Sequence, residues 1–565
     1  MDAVNPNETF GGTDDSERLR LYKRRIFDMK SEWQTWRSHC QEVSDYFCPR
    51  TSRFLLTDAN RGDKKNTRIY DPTATNAVRD LVAAFMSMHT SPARPWFKHK
   101  PSVYKLRTNV DVLRWLEEID EDMRSSIYRS NFYTEAAKLY EQDILYGTGA
   151  MYVESDPVEI LHCTVFPVGS YYLSRGAKGK ITSFAREYQM SIREMVDTFG
   201  IDKVSLATKS AYENKNFEMK RDVQHLIQPN PNYVPDSLNP TERKFQSCYW
   251  ESVSPDVFLR ESGYNWFPIL APRWSVTGED TYGRSPAMDC LGSVKALQLY
   301  EKKSMKAVDK MVDPPTQADE SQRRNKVKTN PDEVNYVSGS NANSGIRAIY
   351  QIQFDIQSAE MKAERCRQLI RDTLYSHLLS QLTNNRRSDT TAEEVRALQD
   401  EKLTLIGPVL ERFDDEFLSP FLDIVYGIHL ELGKIPDPPR IAEGMDFVPE
   451  YVSVMAQAMQ MVGLSAMDRA LSITGQLAGV YPTATDLIKS EDFLREYYNR
   501  LGISSNFINS TEVVAQMAED RANAQAEANQ LASTQQQVDI AKTMSETKLK
   551  QDSGLDQVIA AAGGG

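Results

Sequence analysis

The stretch Y-G-R-S-P-A-M-D-C-L-G-S-V-K-A-L-Q-L-Y-E-K-K-S-M-K-A-V-D-K-M, Tyr282–Met311, followed by V-D-P-P at Val312–Pro315, decides how this chain folds. Gly283 permits an unusual backbone angle, Ser285 can cap free amide groups, and Pro286 suits the first position of a helix. That helix should end at the first proline of V-D-P-P. About 27 residues at about 1.5 Å each give a rod about 40 Å long, more than a small domain needs for its own core. The sequence therefore predicts that something outside one subunit packs against this helix.

Length and composition describe a folded chain of several parts. At 565 residues the chain exceeds what one compact core holds, and its 40% hydrophobic and 10% aromatic content is that of a folded protein. Its 79 acidic residues outnumber its 67 basic ones, which gives a net charge of −12. That balance argues against a protein that coats nucleic acid by neutralising phosphates, but it does not exclude one past which DNA slides.

Nothing in the sequence indicates secretion or membrane insertion. The first residues, M-D-A-V-N-P-N-E-T-F-G-G-T-D-D-S, are polar and acidic, unlike a secretory or mitochondrial leader. The uncharged stretch Tyr451–Met467 falls short of a membrane span. We therefore expect a soluble chain made in the cytoplasm, with reduced and mostly buried cysteines. These are Cys40, Cys48, Cys163, Cys248, Cys290 and Cys366.

Apolar spacing predicts helices first and then a region rich in strands. The helices are expected over Glu17–Phe47, Asp71–Met88, Asn109–Arg129 and Phe132–Tyr146, and the last should end in a turn at Gly147–Gly149. From there to about residue 280, Gly and Pro punctuate short apolar runs that are typical of strands. They are Ala150–Glu154, Cys163–Phe166, Gly169–Leu173, Ile181–Tyr188, Gln246–Ser252 and Pro255–Glu261.

Long helices dominate the second half of the chain. After Pro315 a polar, glycine-rich stretch and a short strand-like segment, Ile346–Phe354, lead to a second long helix at Ser358–Leu382. Two long helices that flank a small insert favour a hairpin. A further helix, Ala392–Leu432, should kink at Pro408, which lacks a backbone donor. Pro449–Leu501 indicates a helical cluster, and the Ala, Gln and Glu of Thr511–Gln551 favour exposed helices, with a frayed solvated tail as the open alternative.

Patterns that carry catalytic chemistry are missing. Ser174–Thr182, S-R-G-A-K-G-K-I-T, lacks the first glycine of a phosphate loop and has Ile181 where a hydroxyl should bind magnesium, so it is interpreted as a turn between strands. No H-E-x-x-H, paired C-x-x-C or G-x-S-x-G pattern occurs. The acidic run Asp414–Glu416 is expected on a solvated helix face. Trp96–Phe97 and Tyr264–Phe267 favour core packing over base stacking. The sequence therefore predicts no catalytic residue, no bound metal and no cofactor.

Several motifs, taken in order, carry a family resemblance. Besides the Y-G-R-S-P turn, the long helix and its D-P-P stop, they are I-Y-D-P-T-A-T-N-A-V-R-D-L (Ile69–Leu81), S-P-A-R-P-W-F (Ser91–Phe97), L-Y-G-T-G-A-M-Y-V-E (Leu145–Glu154), T-T-A-E-E-V-R-A-L-Q-D-E-K (Thr390–Lys402) and P-V-L-E-R-F (Pro408–Phe413). The chain in this respect resembles the portal, or head-to-tail connector, proteins of short-tailed, podovirus-type bacteriophages. The motifs span most of the region from about residue 20 to 470, and their order is more specific than any one of them.

The resemblance implies an α+β, mostly helical portal fold. Its parts would be an α/β wing body over residues 1–280, a first stem helix over 281–312, a small α/β clip over 313–357, a second stem helix over 358–382, a channel loop over 383–391, a kinked wing helix over 392–445, a helical crown over 446–505, and a C-terminal helical barrel with a disordered tail over 506–565.

The resemblance also implies a structural function rather than an enzymatic one. Such subunits form a homo-oligomeric ring, expected to be a dodecamer, at one capsid vertex of the virion. The ring would bind the major capsid and scaffolding proteins, then the terminase during packaging, then tail adaptor and tail proteins, and double-stranded DNA would pass through it without sequence reading. The alternatives are a tail adaptor or internal core protein, or a terminase-like motor or nuclease. Adaptors are shorter chains, and the missing phosphate loop argues against a motor.

Two basic clusters are the candidate site residues under this resemblance. In a ring, the channel-loop set would face passing DNA and make phosphate contacts without reading bases. The clip set would meet the motor and later the tail proteins. Ordinary solvated surface is the open alternative for both sets. The channel-loop residues are Asn384, Asn385, Arg386 and Arg387, and the clip residues are Arg323, Arg324, Lys326 and Lys328.

Replacing both Arg386 and Arg387 with Ala should leave ring assembly intact but change the amount of DNA that is packaged or retained. The reason is that the loop would contact phosphates and not neighbouring subunits. Electron microscopy of the rings and measurement of packaged DNA test this together. A variant that forms no rings would make the loop structural and the channel assignment wrong.

Overall fold

The computed structural model describes most of the first 312 residues and parts of the remainder. The described residues are 15–54, 62, 64–103, 106–107, 109–235, 237–252, 258–312, 314, 316–317, 347–348, 355–376, 407–442, 444–451, 467–476, 493–494, 497–498, 513–531, 533–536 and 539–540. They fall into two compact units: one holds residues up to Trp96 together with Met123–Lys434, and the other holds Phe97–Asp122 with the described residues from Ile435 onward.

Helices and strands occur in groups along the described chain. The helices are α1 Asp15–Tyr46, α2 Thr73–Met88, α3 Val110–Arg129, α4 Phe132–Tyr146, α5 Ile192–Phe199, α6 Leu206–Glu213, α7 Pro286–Val312, α8 Ile356–Thr373 and α9 Ser419–Glu431. The strands are β1 Phe97–Pro101, β2 Met151–Asp156, β3 Ile160–Val165, β4 Tyr171–Arg175, β5 Ile181–Ser191, β6 Lys220–Pro229, β7 Phe245–Glu251, β8 Phe258–Tyr264, β9 Ile269–Leu270, β10 Thr316–Gln317, β11 Arg347–Ala348 and β12 Phe447–Tyr451. Residues 407–413, 467–476 and 513–531 are also α-helical, and Asp414–Leu418 is a π-helical turn.

The helices predicted from apolar spacing in the first half are confirmed. α1, α2, α3 and α4 begin and end within two residues of their predicted bounds. α7 starts at Pro286 and ends at Val312, as the capping residues and the prolines predicted. Its length is therefore the expected one.

A five-stranded antiparallel meander, in the order β4-β5-β6-β7-β8, forms the main sheet of the larger unit. α1 lies across it: the Lys30 ammonium is 2.6 Å from a carboxylate oxygen of Glu187 on β5, and the ring of Tyr22 lies 6.3 Å from that of Trp250 on β7. The side chains of α1 that face the sheet recur at helical spacing, so the amphipathic pattern of the sequence orients the helix. A second sheet has the order β3-β2-β9.

The phosphate-loop-like stretch is the turn between β4 and β5, as predicted. The amide of Gly176 donates to the carbonyl of Lys180 at 2.8 Å, and Gly179 adopts a φ of 78°. Ile181 is the first residue of β5. The two lysines in the motif therefore belong to a hairpin turn, and no helix follows it to bind phosphate.

An aromatic cluster joins α2, α4 and the helical segment that ends in α9. Phe132 stacks on Phe421 with ring centroids 4.2 Å apart, and Phe85 lies 5.6 Å from both Tyr140 and Phe413. All five side chains are buried. Aromatic pairs at these distances add about 0.5–1.5 kcal/mol each to the burial of their area, so this cluster is the centre of the larger unit's core.

The smaller unit contains the antiparallel pair β1–β12 and the first part of α3. The buried carboxylate of Asp120 accepts from the amide of His99 at 2.9 Å and contacts its ring nitrogen. The ring of Phe447 lies 5.2 Å from the imidazole, and Trp115 donates to the carbonyl of Pro436 at 2.9 Å. These contacts satisfy the polar groups that the strand pair buries.

Two expectations differ from the structure, and several elements were not predicted. The second long helix ends at Thr373 and not at Leu382, because Tyr375 takes a left-handed φ of 55°, which an α-helix does not allow. Residues 449–451, expected at the start of a helical cluster, belong to strand β12. The sequence analysis did not predict α5, α6 or β6, whose short apolar runs lie between charged residues.

Gly283 is needed for a different reason from the one expected. It does not adopt a positive φ, whereas Gly147, at the predicted turn after α4, does at 75°. The two glycines lie back to back: a Cβ on either would come within 2.3 Å of the other's carbonyl oxygen. The amide of Gly283 also donates to the hydroxyl of Thr148 at 2.8 Å. Close approach of two backbones therefore excludes a side chain there.

Gly283→Ala should destabilise the chain by about 1–3 kcal/mol, because the added methyl group overlaps the carbonyl of Gly147. Gly292→Ala is the matched control within α7: its Cβ would meet nothing within 4 Å, so helix propensity alone should stabilise by up to about 1 kcal/mol. Denaturant unfolding of the two variants measures both effects. Equal unfolding midpoints for Gly283→Ala and the wild type would contradict the close approach.

Candidate functional site

α7 and α8 pack on each other and form the candidate functional element. The strands β10 and β11, which follow α7 and precede α8, pair antiparallel, as expected for a hairpin. Ser285 Oγ accepts from the amide of Met288 at 3.0 Å and donates to the carbonyl of Leu145 at 2.8 Å, so it caps α7 and attaches it to α4. The first half of α7 is embedded in the larger unit. Its buried residues are Pro286, Ala287, Met288, Cys290, Leu291, Val294, Leu297 and Gln298.

Gln298 attaches α7 to the segment that precedes α2. Its side-chain oxygen accepts from the amides of Tyr70 at 2.6 Å and Asp71 at 2.9 Å, and its amide nitrogen donates to the carbonyl of Asp71 at 2.8 Å. One buried side chain thereby satisfies three backbone groups. Removing it would leave those groups unpaired, which costs more than the loss of an exposed hydrogen bond.

Arg367 attaches α8 to the same segment. Its guanidinium places Nε 2.8 Å from Asp71, Nη2 2.7 Å from Glu301 on α7, and Nη1 2.8 Å and 3.0 Å from Glu360 and Glu364 on α8. The Arg367 side chain is only 17% exposed. We call Arg367, Asp71, Glu301 and Gln298 the hairpin clamp, because together they join α7, α8 and the start of α2.

Charges in the hairpin clamp favour each other's ionised forms. Hydrogen bonds to Glu360 and Asp71 raise the pKa of the Arg367 guanidinium. Burial alone would raise the pKa of Asp71, but hydrogen bonds from Thr73 and Arg367 outweigh it and hold that pKa below its ordinary value. The ionised form of Asp71 is therefore favoured in the folded chain.

The outer part of the hairpin is different from its base. α7 is described throughout, and it has no buried residue beyond Gln298. Apolar side chains there face solvent, from Leu299 at 50% exposed to Val312 at 80%. We call Leu299, Met305, Val308, Met311 and Val312 the outer stripe. Apolar residues that stay exposed along one half of a helix are typical of an interaction surface.

The acidic run Asp414–Glu416 is not simply solvated, and that expectation is wrong for two of its three residues. Glu416 faces the buried Arg273, with Nη2 2.5 Å and Nε 3.1 Å from its two oxygens. Asp414 lies 3.0 Å from Nε2 of the buried His89, and only Asp415 is exposed. The π-helical turn presents both acids to basic side chains of the core.

Asp143, at the end of α4, is the most deeply buried acid near that turn. Its Oδ1 accepts from the amide of Gly149 at 2.7 Å. Burial raises its pKa well above the ordinary range, against this hydrogen bond, and the neighbouring carboxylate of Glu416 raises it further. The protonated form is thus favoured inside the core, where an extra negative charge would repel Glu416.

Comparison with known proteins identifies the family. The sequence profile described as "Bacteriophage head to tail connecting protein" matches residues 20–508. The chain belongs to this family. A relative named "Portal protein", from Salmonella phage epsilon15, is 36% identical over 551 residues, which are 97% of this chain and 99% of the relative. A "Probable portal protein" from Bordetella phage BPP-1 is 32% identical over 546 residues, 96% of this chain and 98% of the relative.

Solved structures with some likeness to this connector come from gene transfer agent particles. The neck of an empty particle matches 72% of this chain and 86% of its own with 12% identity and a TM-score of 0.34. A chain of the virion of the native particle matches 74% of this chain and 98% of its own, also with 12% identity, at a TM-score of 0.30. Structural similarity this low supports no conclusion about the fold or function of the connector.

Family membership confirms the predicted resemblance and the predicted structural function. The connector is a portal subunit of the phage virion, located at the portal vertex of the capsid, and it is a structural protein and not an enzyme. A mixed α/β, largely helical fold, as predicted, is also what the structure shows. The tail adaptor, core protein, motor and nuclease alternatives are set aside.

The described residues contain no group of three His, Cys, Asp or Glu side chains that could hold a metal ion. In the same residues, no helix is long and apolar enough to cross a membrane. All six cysteines are free, and burial raises the pKa of the Cys40 thiol to about 12, so that thiol stays protonated and unreactive.

The residues predicted to contact DNA and the motor lie outside the described residues. This holds for Asn384, Asn385, Arg386 and Arg387, and for Arg323, Arg324, Lys326 and Lys328. Both sets therefore stay predictions. Sequence reasoning missed the hairpin clamp, although two signals were present: Asp71 stands in the quoted I-Y-D-P motif, and Gln298 follows the apolar Val294 and Leu297 on the buried face of α7.

Asp71→Asn should lower stability at pH 7 by about 1–2 kcal/mol, because it removes the charge that Arg367 faces but keeps an acceptor for Thr73. Since the folded pKa of Asp71 lies below its unfolded value, the wild-type advantage is full above about pH 4 and is lost as pH falls through the lowered pKa. Denaturant unfolding between pH 3 and 7 measures it.

The control for this experiment is Asp197→Asn, which changes an exposed carboxylate on α5. Its stability should follow that of the wild type at every pH. A constant difference between Asp71→Asn and the wild type across the acid range would show that the charge of Asp71 does not stabilise the clamp.

Proposed function

We propose that copies of this connector close into a ring through contacts between their α7–α8 hairpins. The observation that carries the proposal is the change along α7: buried as far as Gln298, and exposed with an apolar outer stripe beyond it. A helix of this length gains most of its stability from packing, so an outer half without core contacts needs another surface. A neighbouring copy provides one at every subunit, and a closed ring leaves no stripe uncovered.

The ring would be a conduit for double-stranded DNA, in the family's expected form of a dodecamer. Charge supports passage without tight binding. The net charge of −12 limits attachment to a polyanion, while exposed lysines such as Lys303 and Lys306 on α7 allow brief phosphate contacts. Arg386 and Arg387 would add such contacts in the channel loop.

The assignment of parts follows the same proposal. α7 and α8 would be the two stem helices, and the segment between them, with β10 and β11, would be the clip that meets the terminase during packaging and tail proteins afterwards. The two sheets and α1 to α6 would belong to the wing body. The exposed helix at residues 513–531 supports a C-terminal barrel, since a lone solvated helix of this composition is only marginally stable.

Electron microscopy of the purified full-length connector tests the ring directly. We expect rings with an axial channel and a narrow stem, and the count of rotational symmetry gives the copy number. Monomers, or assemblies without a channel across a range of salt and protein concentrations, would overturn the proposal.

The double variant Met305→Glu and Val308→Glu should need at least a tenfold higher protein concentration to form rings than the wild type. The reason is that a charged side chain at a contact must be desolvated. The fold of the single chain should be unchanged, since both residues are exposed in it. Val158→Glu is the matched control: Val158 is 86% exposed in the turn between β2 and β3. Sedimentation velocity and circular dichroism distinguish assembly from folding, and normal assembly of the double variant would exclude the outer stripe from the contact.

A further inference from the structure

We propose that Arg367 is a positioning residue that sets the tilt of the α7–α8 hairpin against the larger unit, and thereby the width of the passage for DNA. The inference rests on the proposed function, in which the hairpin forms the stem. It concerns the angle of the hairpin within one subunit, and not the contact between subunits.

The hairpin clamp is the last polar anchor before the hairpin becomes exposed. On α7, Gln298 is the final buried residue and Glu301 follows it by one turn. On α8, Arg367 stands between the buried Ala363 and Ile370. Both anchors reach Asp71, in a segment that belongs to neither helix. α7, α8 and the segment before α2 therefore meet at one point. A contact at that point restrains rotation of the hairpin against the larger unit.

Distance along the helix amplifies any change at that point. From Gln298 to Val312 the helix extends about 21 Å, at about 1.5 Å per residue. A rotation of about 10° at the base would move the end of α7 by about 4 Å. In a ring, every copy would move its stem in the same way, so a small change in the clamp becomes a large change in the opening.

The chemistry of the clamp suits a positioning role. A guanidinium is planar and presents its donors in a fixed fork, so its contacts define an orientation and not only a distance. Arg367 divides its donors among Asp71, Glu301, Glu360 and Glu364. Two of these acceptors lie off its own helix, on α7 and before α2. Apolar contacts such as those of Ile370 hold the helices together but do not fix their angle in this way.

The test compares Arg367→Met with Arg371→Met. Arg371 lies one turn further along α8, and within the described part of the chain it pairs with Glu364 at 3.4 Å and with no member of the hairpin clamp, so its loss leaves the clamp intact. Hydrogen exchange of the free subunit is the first readout. We expect the amides of Tyr70 and Asp71, which Gln298 covers, to exchange several-fold faster in Arg367→Met and at the wild-type rate in Arg371→Met.

Cryo-electron microscopy of rings and the DNA content of particles are the second readout. Arg367→Met rings should keep their symmetry, with a shifted or broader tilt of α7 relative to α4 and several-fold less DNA per particle. Arg371→Met should match the wild type. Unchanged exchange, tilt and DNA content in Arg367→Met would overturn the inference, and so would equal effects of the two variants.

A folding defect in Arg367→Met does not end the test. Glu301→Gln removes only the charge on α7 that Arg367 meets and leaves the guanidinium in place. It should produce the same changes to a smaller degree, and no change would count against the clamp. If wild-type protein forms no rings, the proposed function fails, while the exchange readout on the free subunit still decides whether the clamp holds the hairpin base.

Discussion

The back-to-back approach of Gly147 and Gly283 is the constraint on which the arrangement of the larger unit depends. It brings the chain leaving α4 against the chain entering α7, although 136 positions separate them in sequence (283 − 147). The carbonyl of Gly147 accepts from the amide of Trp274 at 3.0 Å, and Ser285 bonds to Leu145 beside it. Since no side chain fits between the two backbones, the start of α7 has one position relative to α4. The direction of the hairpin follows from that position together with the hairpin clamp.

The two halves of the hairpin solve different physical problems. Near Gln298 and Arg367, buried polar groups are fully partnered, so the base is stiff and its geometry is specific. Beyond them, exposed apolar residues such as Met305 and Val312 would be unfavourable in a chain that stayed alone. In the proposed ring, a subunit built this way would have a defined hairpin direction before it meets its neighbours. Less conformational freedom would then be lost on assembly, which favours association.

Sequence reasoning predicted the bounds of helices better than the contacts between distant parts of the chain. The bounds of α7 follow from Pro286 and the prolines after Val312, which act locally, and they are confirmed. The need for glycine at Gly283 was predicted, but its cause lies 136 positions away (283 − 147), where no local pattern could show it. The early end of α8 depends on the left-handed Tyr375, a conformation that sequence does not favour. Arg367 could not be singled out from local sequence, since its partner Asp71 belongs to a distant motif.

Charge placement reconciles an acidic chain with the passage of DNA that the proposed function requires. Arg367 faces four carboxylates, so the base of the hairpin carries an excess of negative charge, whereas Lys303 and Lys306 lie on its outer half. At physiological salt a charge acts over about 8 Å, so in the proposed ring DNA beside Lys306 would be attracted mainly by the lysines around it. A few cations on an otherwise acidic chain would attract phosphate briefly and release it. Such a surface suits a polymer that must move along it, because strong uniform attraction would hold the DNA in place.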